Sequence, residues 1–247
     1  MSVSAGKPLE DKLVLVTGAS RGLGRALALE AAAAGARLIL VARTVGGLEE
    51  VDDEARKLGA PESTLVPLDL NESEVIDPLG AALYQRFGRL DGLVVAHGTL
   101  GQLSPVGHVV PKVWNETLAV NCTAVFRLIR TLHPLLNQAE APRALFVTDE
   151  TGKDRAYWAP YMASKAAMEA VVVAFATENQ KTALRANLAV PPPMATALRA
   201  GAYPGEDPTS LPAPETVAPL LLPLIFAEET RNGARVKVVR EDLHPLD

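Results

Sequence analysis

Short apolar runs alternate along the chain with longer segments of helical periodicity. The apolar runs are rich in Val, Leu and Ala, as expected for strands that are buried on both faces. They span residues 12–17, 36–42, 63–70, 91–96, 143–148, 185–190 and 235–239. The segments predicted to be helical span about residues 25–35, 45–57, 71–87, 112–133, 158–180 and 214–228. Because strands separated by helices build parallel sheets with helices on both faces, the pattern predicts a doubly wound α/β fold with seven parallel strands.

One segment breaks this alternation. Residues 191–215 are rich in Pro, Gly and small side chains, and a connection of this length in a compact domain is usually functional. We interpret it as a lid over a ligand cleft, within a single domain that spans residues 1–247.

Composition and charge limit the classes of function. The chain has 247 residues, of which 48% are hydrophobic, enough for a large core. A net charge of −5 argues against nucleic acid or an anionic membrane as a partner. The start carries no apolar stretch of signal-peptide length, and the longest apolar run, 170–176, is too short to span a bilayer. One cysteine, Cys122, and four histidines without ligand spacing predict neither a disulfide nor a metal site. We therefore expect a soluble, cytoplasmic protein.

The first connection, TGASRGLG at residues 17–24, has the composition of a phosphate-binding turn. Glycine allows the backbone to turn sharply and to approach phosphate oxygens, and the N-terminus of the following helix favours their negative charge. The turn lies between a buried strand and an Ala-rich helix, which is the context that this mechanism requires. The pattern predicts a nucleotide site.

A second motif lies late in the chain, in YMASK at residues 161–165. Tyr161 and Lys165 are four positions apart and therefore share a helix face. An ammonium group near a phenol favours the phenolate, so the spacing suits a tyrosine that exchanges protons.

Together, TGASRGLG and YMASK resemble the motifs of the short-chain dehydrogenase/reductase family, and the likeness extends from about residue 10 to about residue 240. The resemblance implies a Rossmann-type fold and a nicotinamide cofactor. It implies catalytic roles for Tyr161 and Lys165, with a lowered tyrosine pKa, and for Asn121, which would bend its helix and hold a water molecule on the proton path. The cofactor-binding residues that it implies are Gly18, Ser20, Arg21, Gly22, Leu23, Gly24, Arg43, Asp69, Leu70, Ala96, Gly98, Tyr161, Lys165 and Thr196.

Two arginines bear on the choice of cofactor. Members that bind NAD carry a carboxylate after the second strand, where this chain has Arg43, and Arg21 lies inside the Gly-rich turn. Guanidinium groups suit a 2′-phosphate, so NADP(H) is favoured over NAD(H). The alternative is that both arginines are solvated surface charges.

The chain departs from the family pattern at the expected position of a serine that polarises the substrate carbonyl. Thr148 and Asp149 lie thirteen and twelve residues before Tyr161, and alignment on Gly152 selects Asp149. An ionised Asp149 has no proton to donate. Catalysis then requires either that Thr148 faces the pocket or that Asp149 is held neutral as a donor.

Two further departures lie nearby. The family's Asn-Asn-Ala-Gly is Val95-Ala96-His97-Gly98 here, and its Pro-Gly after the sixth strand is replaced by Pro191-Pro192-Pro193. His97 is either a packed histidine at a strand end or a pocket residue. The departures cluster at the substrate end of the predicted site.

We therefore predict an NADP(H)-dependent oxidoreductase that reduces a carbonyl or oxidises an alcohol, with Tyr161 as general acid or base. The alternative is a catalytically impaired nucleotide-binding protein with a regulatory or assembly role, and a third hypothesis is proton chemistry without redox. The segment KAAMEAVVVAFA at residues 165–176 is apolar almost all round, which predicts a homodimer or homotetramer.

Overall fold

A single eight-stranded sheet forms the centre of the molecule. The computed structural model describes residues 7–150, 155–239 and 242–246. The strand order is β3-β2-β1-β4-β5-β6-β7-β8. The strands are β1 Leu13–Thr17, β2 Arg37–Ala42, β3 Thr64–Pro67, β4 Gly92–Val95, β5 Arg143–Val147, β6 Arg185–Val190, β7 Arg235–Val239 and β8 Asp242–Leu246.

The first seven strands pair in parallel, which confirms the predicted doubly wound sheet. Strand β8 pairs antiparallel with β7 and was not predicted. Its sequence, DLHPL, is short, polar and interrupted by a proline. Proline is tolerated at a sheet edge, where its missing N–H leaves no ladder bond unmade.

The helices lie close to the predicted segments. They are α1 Gly22–Ala33, α2 Val45–Lys57, α3 Asp77–Phe87, α4 Pro111–Leu118, α5 Ala124–Leu136, α6 Ala159–Glu178, α7 Ala197–Ala202 and α8 Pro214–Leu221. The segment predicted as one helix at 112–133 is α4 and α5, joined by a π-helical turn at Ala119–Thr123. Among the described residues, no helix combines the length and hydrophobicity needed to cross a bilayer.

Apolar side chains cover both faces of the sheet. Successive strand residues point to opposite faces, so Val14 and Val16 join one core cluster and Leu13 and Leu15 join the other. Helices α1, α2 and α8 pack on the first face, and α3, α5 and α6 pack on the second. Burial on both sides explains why the strands read as continuous apolar runs.

The topology places a crevice at the carboxyl ends of the central strands. Strand β1 lies between β2 and β4, so the chain leaves β1 in one direction and later returns on its other side. Ligands of open α/β sheets bind at this switch point. The segment 191–215 borders the crevice and contains α7 and a short turn at Pro208–Ser210, so it is more ordered than the predicted loop.

Candidate active site

A cleft of about 940 Å³ opens at the carboxyl ends of the strands. Every residue predicted to bind the cofactor lines it, and so do Thr148 and Asp149 from the predicted catalytic set. The strand–helix connections after β1, β2 and β3 form one end, and the start of α6 with residues 191–199 forms the other. The topology thus brings together two motifs that are far apart in sequence.

The Gly-rich turn after β1 requires glycine for two reasons. Gly18 and Gly22 have φ angles of +69° and +57°, in the left-handed region that side chains disfavour. A Cβ on Gly24 would lie 2.2 Å from the carbonyl oxygen of Gly18. The N-cap residue of α1, Arg21, makes no side-chain cap hydrogen bond, so no side chain competes for the first amides of the helix. This cradle fits the phosphates of a dinucleotide.

Two cations lie at the mouth of this end. Arg21 precedes α1, and Arg43 follows β2; both are exposed. Within the part of the chain that the structure describes, neither guanidinium has an ion-pair or hydrogen-bond partner. Asp69, after β3, is held by the backbone N–H of Asn71, which donates to its Oδ1 at 2.9 Å.

Lys165 lies deep in the cleft at the start of α6. Its side chain is 4% exposed, and its Nζ donates to the carbonyl oxygen of Val147 at 2.9 Å. Burial lowers the pKa of Lys165 to about 8, although the carboxylates of Asp149 and Glu169 act in the opposite direction. The ammonium group is therefore close to its titration range at neutral pH.

Tyr161 is buried near Lys165 on the same helix, and the carboxylate of Asp149 acts on its phenol electrostatically. Burial, followed by the negative charge of Asp149, raises the pKa of Tyr161, while Arg155 lowers it. The lowered pKa expected for this tyrosine is therefore wrong for the structure as it stands. The reason is that burial disfavours the charged phenolate, and the neighbouring acid disfavours a second negative charge.

Asp149 is tied to Arg155. The Nη1 of Arg155 donates to Oδ2 of Asp149 at 2.9 Å, and Nη2 lies 3.5 Å from Oδ1. The backbone N–H of Glu150 also donates to Asp149 Oδ1, at 2.6 Å. These partners suit an ionised carboxylate, so the geometry does not favour the neutral donor considered from sequence. Gly152, used to align this position, lies outside the described residues.

Thr148 directs its hydroxyl elsewhere. Its Oγ1 donates to Glu169 Oε1 at 2.5 Å, and its side chain is buried. The hydroxyl has one proton, and a carboxylate on α6 accepts it. The geometry therefore favours Asp149 over Thr148 as the residue beside the phenol.

Asn121 lies in the π-helical turn between α4 and α5 and is 1% exposed. Its Oδ1 accepts from the N–H of Thr99 at 2.8 Å, and its Nδ2 donates to Thr99 O at 2.8 Å and Ser164 Oγ at 2.9 Å. The amide thus connects the segment after β4 to α6. Asn121 does not line the cleft itself, so its geometry supports a positioning role behind Lys165.

His97 borders the cleft, but its ring is buried and both of its nitrogens are held by hydrogen bonds. Its Nε2 lies 3.0 Å from Val120 O, and its Nδ1 lies 2.7 Å from Thr17 Oγ1. A carbonyl only accepts, so Nε2 carries the proton and Nδ1 accepts from the threonine. Burial, together with Lys165, lowers the pKa of His97 to about 3, so the ring is neutral. This supports the packed-histidine interpretation.

Comparison with known proteins identifies the family of this chain. The short chain dehydrogenase family model matches residues 12–207. An oxidoreductase of Escherichia coli K12, YciK, whose function is uncharacterized, is 36% identical over 227 residues, which are 91% of this chain and 90% of YciK. This chain belongs to the short chain dehydrogenase family.

Solved structures agree with this assignment. A Pseudomonas syringae chain assigned to the short chain dehydrogenases superposes with a TM-score of 0.90 at 35% identity, covering 94% of this chain and 96% of that chain. A chain from Escherichia coli CFT073, assigned to the same family and solved with NADPH, has a TM-score of 0.89 at 34% identity, covering 94% and 98%. The resemblance inferred from the two motifs is confirmed, and the protein is an oxidoreductase of this family.

Among the cleft residues of this dehydrogenase that sequence reasoning missed are two arginines, Arg155 and Arg199. Arg155 packs 4.9 Å from the ring of Trp158, which in turn contacts Tyr161 edge-on at 5.6 Å. Arg199 is bound by both carboxylate oxygens of Glu206 at 2.6 Å. Neither arginine belongs to a motif; their only sequence signal is a charge within a connection that borders the cleft.

Proposed function

We propose that this short chain dehydrogenase transfers hydride between NADP(H) and a small carbonyl or alcohol, with Tyr161 as general acid or base. One observation carries the proposal: a single cleft joins an open phosphate cradle at one end to Tyr161 and Lys165 at the other. A dinucleotide spans such a crevice with its reactive ring near the second end.

The choice of NADP(H) rests on charge. Arg21 and Arg43 are exposed cations at the cradle, where a 2′-phosphate would accept bidentate hydrogen bonds. The structural relative from Escherichia coli CFT073 was solved with NADPH. In the bound state the Gly-rich turn would hold the phosphates, and Asp69 would lie beside the adenine. The cofactor would supply or accept the hydride.

The chain's own residues would move the proton. In reduction, Tyr161 donates its phenolic proton to the carbonyl oxygen, and in oxidation the phenolate accepts it. The Lys165 ammonium stabilises the phenolate, and the peptide of Val147 fixes the position of Nζ. Asn121 holds the start of α6 through Ser164. The catalytic roles, the lid role of 191–215 and the carboxamide contact of Thr196 are parts of this proposal.

The proposal is tested in two steps on the full-length protein. NADPH fluorescence titration comes first, followed by turnover on a panel of aldehydes and ketones and, with NADP, on the matching alcohols. We expect saturable NADPH binding and turnover that Tyr161→Phe removes. Absence of NADPH binding contradicts the proposal.

A second candidate is a nucleotide-binding protein without catalysis. It is favoured by burial of the Tyr161 phenol and by the negative charge of Asp149, which raise the pKa of that phenol and oppose proton release. Tight NADPH binding, with no turnover across the panel in either direction and no effect of Tyr161→Phe, would support this alternative.

The cytoplasmic location and the homo-oligomer stay predictions. Helix α6 does expose apolar surface, with Val173 43% exposed, beyond what its packing on the sheet uses. Gel filtration at micromolar concentration tests the assembly, and elution as a monomer contradicts it.

A further inference from the structure

The proposed reaction needs a hydrogen-bond donor at the carbonyl oxygen besides Tyr161. Negative charge develops on that oxygen as hydride arrives, and fixed donors aimed at it lower the barrier. The position expected to hold a serine holds Asp149, whose carboxylate only accepts. The Thr148 hydroxyl donates its hydrogen bond to Glu169. The donor must therefore come from another side chain.

Arg155 lies at the right place. The Arg155 guanidinium donates to the carboxylate of Asp149 at 2.9 Å, and both charged groups lie near enough to the Tyr161 phenol to act on it electrostatically. Arg155 and Tyr161 both line the cleft, and the ring of Trp158 contacts each of them, so the phenolic and guanidinium donors lie in the same region of the cleft.

The arginine is also held in place. Asp149 engages Nη1 and Nη2, while the face of the guanidinium packs on the ring of Trp158 at 4.9 Å. Trp158 is itself buried against Tyr161. A guanidinium has five N–H bonds, so donors remain after Asp149 has taken two. The side chain of Arg155 is 22% exposed and lines the cleft.

We propose that Arg155 is the carbonyl-polarising residue of this dehydrogenase, and that Asp149 occupies the usual serine position in order to orient it. The proposal rests on the proposed carbonyl chemistry. It accounts for an acid in this position, because Asp149 holds a guanidinium that opposes its own effect on Tyr161 and that presents N–H donors.

The step balances in the direction of reduction. Hydride adds to the carbonyl carbon while the π electrons of the C=O bond move to oxygen. Arg155 donates a hydrogen bond to that oxygen without losing a proton, and Tyr161 transfers its phenolic proton to it. The products are the alcohol and a Tyr161 phenolate, which regains a proton from water. Arg155 also favours that phenolate, since its positive charge lowers the pKa of Tyr161.

The experiment compares Arg155→Ala, Arg155→Lys and the double variant Asp149→Ser with Arg155→Ala, using NADPH with benzaldehyde, acetophenone and cyclohexanone. The matched control is Arg127→Ala, because Arg127 is also ion-paired, to Asp77, and is similarly exposed at 24%, but lies outside the cleft. The dissociation constant of NADPH is measured for each variant by fluorescence. Guanidinium and ethylguanidinium at non-denaturing concentrations are added to Arg155→Ala.

We expect Arg155→Ala to lower kcat about a hundredfold with little change in NADPH affinity, as for loss of one oxyanion donor. Added guanidinium should restore part of that rate, Arg155→Lys should retain part of it, and the serine of the double variant should raise the rate above that of Arg155→Ala. The control should match the wild type.

Two results would overturn the assignment. Wild-type kcat in Arg155→Ala would remove Arg155 from the reaction while leaving the proposed function intact. A loss that neither guanidinium nor the serine of the double variant repairs would make Arg155 a structural residue. Failure of the wild type to reduce any member of the panel, or to oxidise the matching alcohols with NADP, would overturn the proposed function and this inference together.

Discussion

The two ends of the cleft differ in whether their arginines are paired with carboxylates. At the phosphate end, Arg21 and Arg43 are exposed and have no partner within the described ranges. At the substrate end, Asp149 is paired with Arg155 and Arg199 with Glu206, and the Lys165 ammonium donates to the carbonyl oxygen of Val147.

This difference determines what each end can bind. An unpaired guanidinium gains a new charged hydrogen bond when an anion arrives, and no existing ion pair has to break. A paired charge must exchange one partner for another, so an external ion gains little. The phosphate end therefore suits a ligand of high negative charge, whereas the substrate end suits a neutral molecule whose charge develops only in the transition state.

The largest effect is expected from a substitution that impairs catalysis at the substrate end and leaves cofactor binding unchanged. Tyr161→Phe removes the proton donor and leaves the ring that packs on Trp158 at 5.6 Å. We expect kcat to fall about a thousandfold, the scale of general acid–base catalysis. NADPH affinity should change less than about twofold, because the phosphate contacts are untouched. Steady-state kinetics measure kcat, and fluorescence titration measures the affinity for NADPH. A kcat within tenfold of the wild type would show that another group moves the proton.

The phosphate end is tested by Arg43→Ala. A charged hydrogen bond contributes about 1.5–3 kcal/mol, so the dissociation constant of NADPH should rise about 10- to 100-fold. Affinity for NADH should hardly change, since it lacks the 2′-phosphate. The control is Arg56→Ala, an exposed arginine in the last turn of α2 and outside the cleft. Equal losses for NADPH and NADH would mean that Arg43 supports the fold of the cleft rather than the 2′-phosphate.

The same contrast explains how far the sequence alone could go. The sheet was predicted because burial on both faces leaves continuous apolar runs, such as residues 13–17 and 37–42. Strand β8 was not, because DLHPL carries no such signal. The phosphate turn was predicted because its chemistry lies within eight consecutive residues, with backbone angles that glycine alone adopts readily.

The substrate end could be predicted only in part. Tyr161 and Lys165 follow from helical spacing, but Arg155 lies in a connection with no period. Its pairing with Asp149 depends on the path of the backbone after β5. The choice between Thr148 and Asp149 stayed open for a related reason: successive residues at the end of a strand face opposite sides, so a shift of one residue exchanges their roles.

Between the two ends of the cleft, His97 is buried in its neutral form, and this makes the stability of the fold depend on pH. The buried ring has a pKa of about 3, below the value of 6.5 for an exposed histidine, so the unfolded chain takes up a proton first as the pH falls. Stability should therefore decrease from about pH 6.5 downward. Between pH 7 and pH 5, the free energy of unfolding of the wild type should fall about 2 kcal/mol further than that of His97→Gln, which cannot take up this proton. Urea unfolding at both pH values measures this. Parallel losses in the two proteins would mean that His97 titrates in the folded state.

The smallest effect is expected in the pH dependence of kcat/KM, which distinguishes whether Lys165 or Arg155 stabilises the Tyr161 phenolate. The pKa of Lys165 is about 8, so the ammonium group is present below that pH and is lost above it. If the phenolate depends on Lys165, kcat/KM should be level below neutrality and about tenfold lower at pH 9, one unit above the pKa. The arginine of Lys165→Arg keeps its charge throughout this range. The kcat/KM of this variant, whatever its absolute value, should therefore stay constant over the pH range in which that of the wild type declines. The pH–rate profiles of the two proteins check this. A wild-type profile that stays level to pH 10 would assign the stabilising charge to Arg155, whose guanidinium does not titrate there, and would leave Lys165 the task of binding the cofactor ribose.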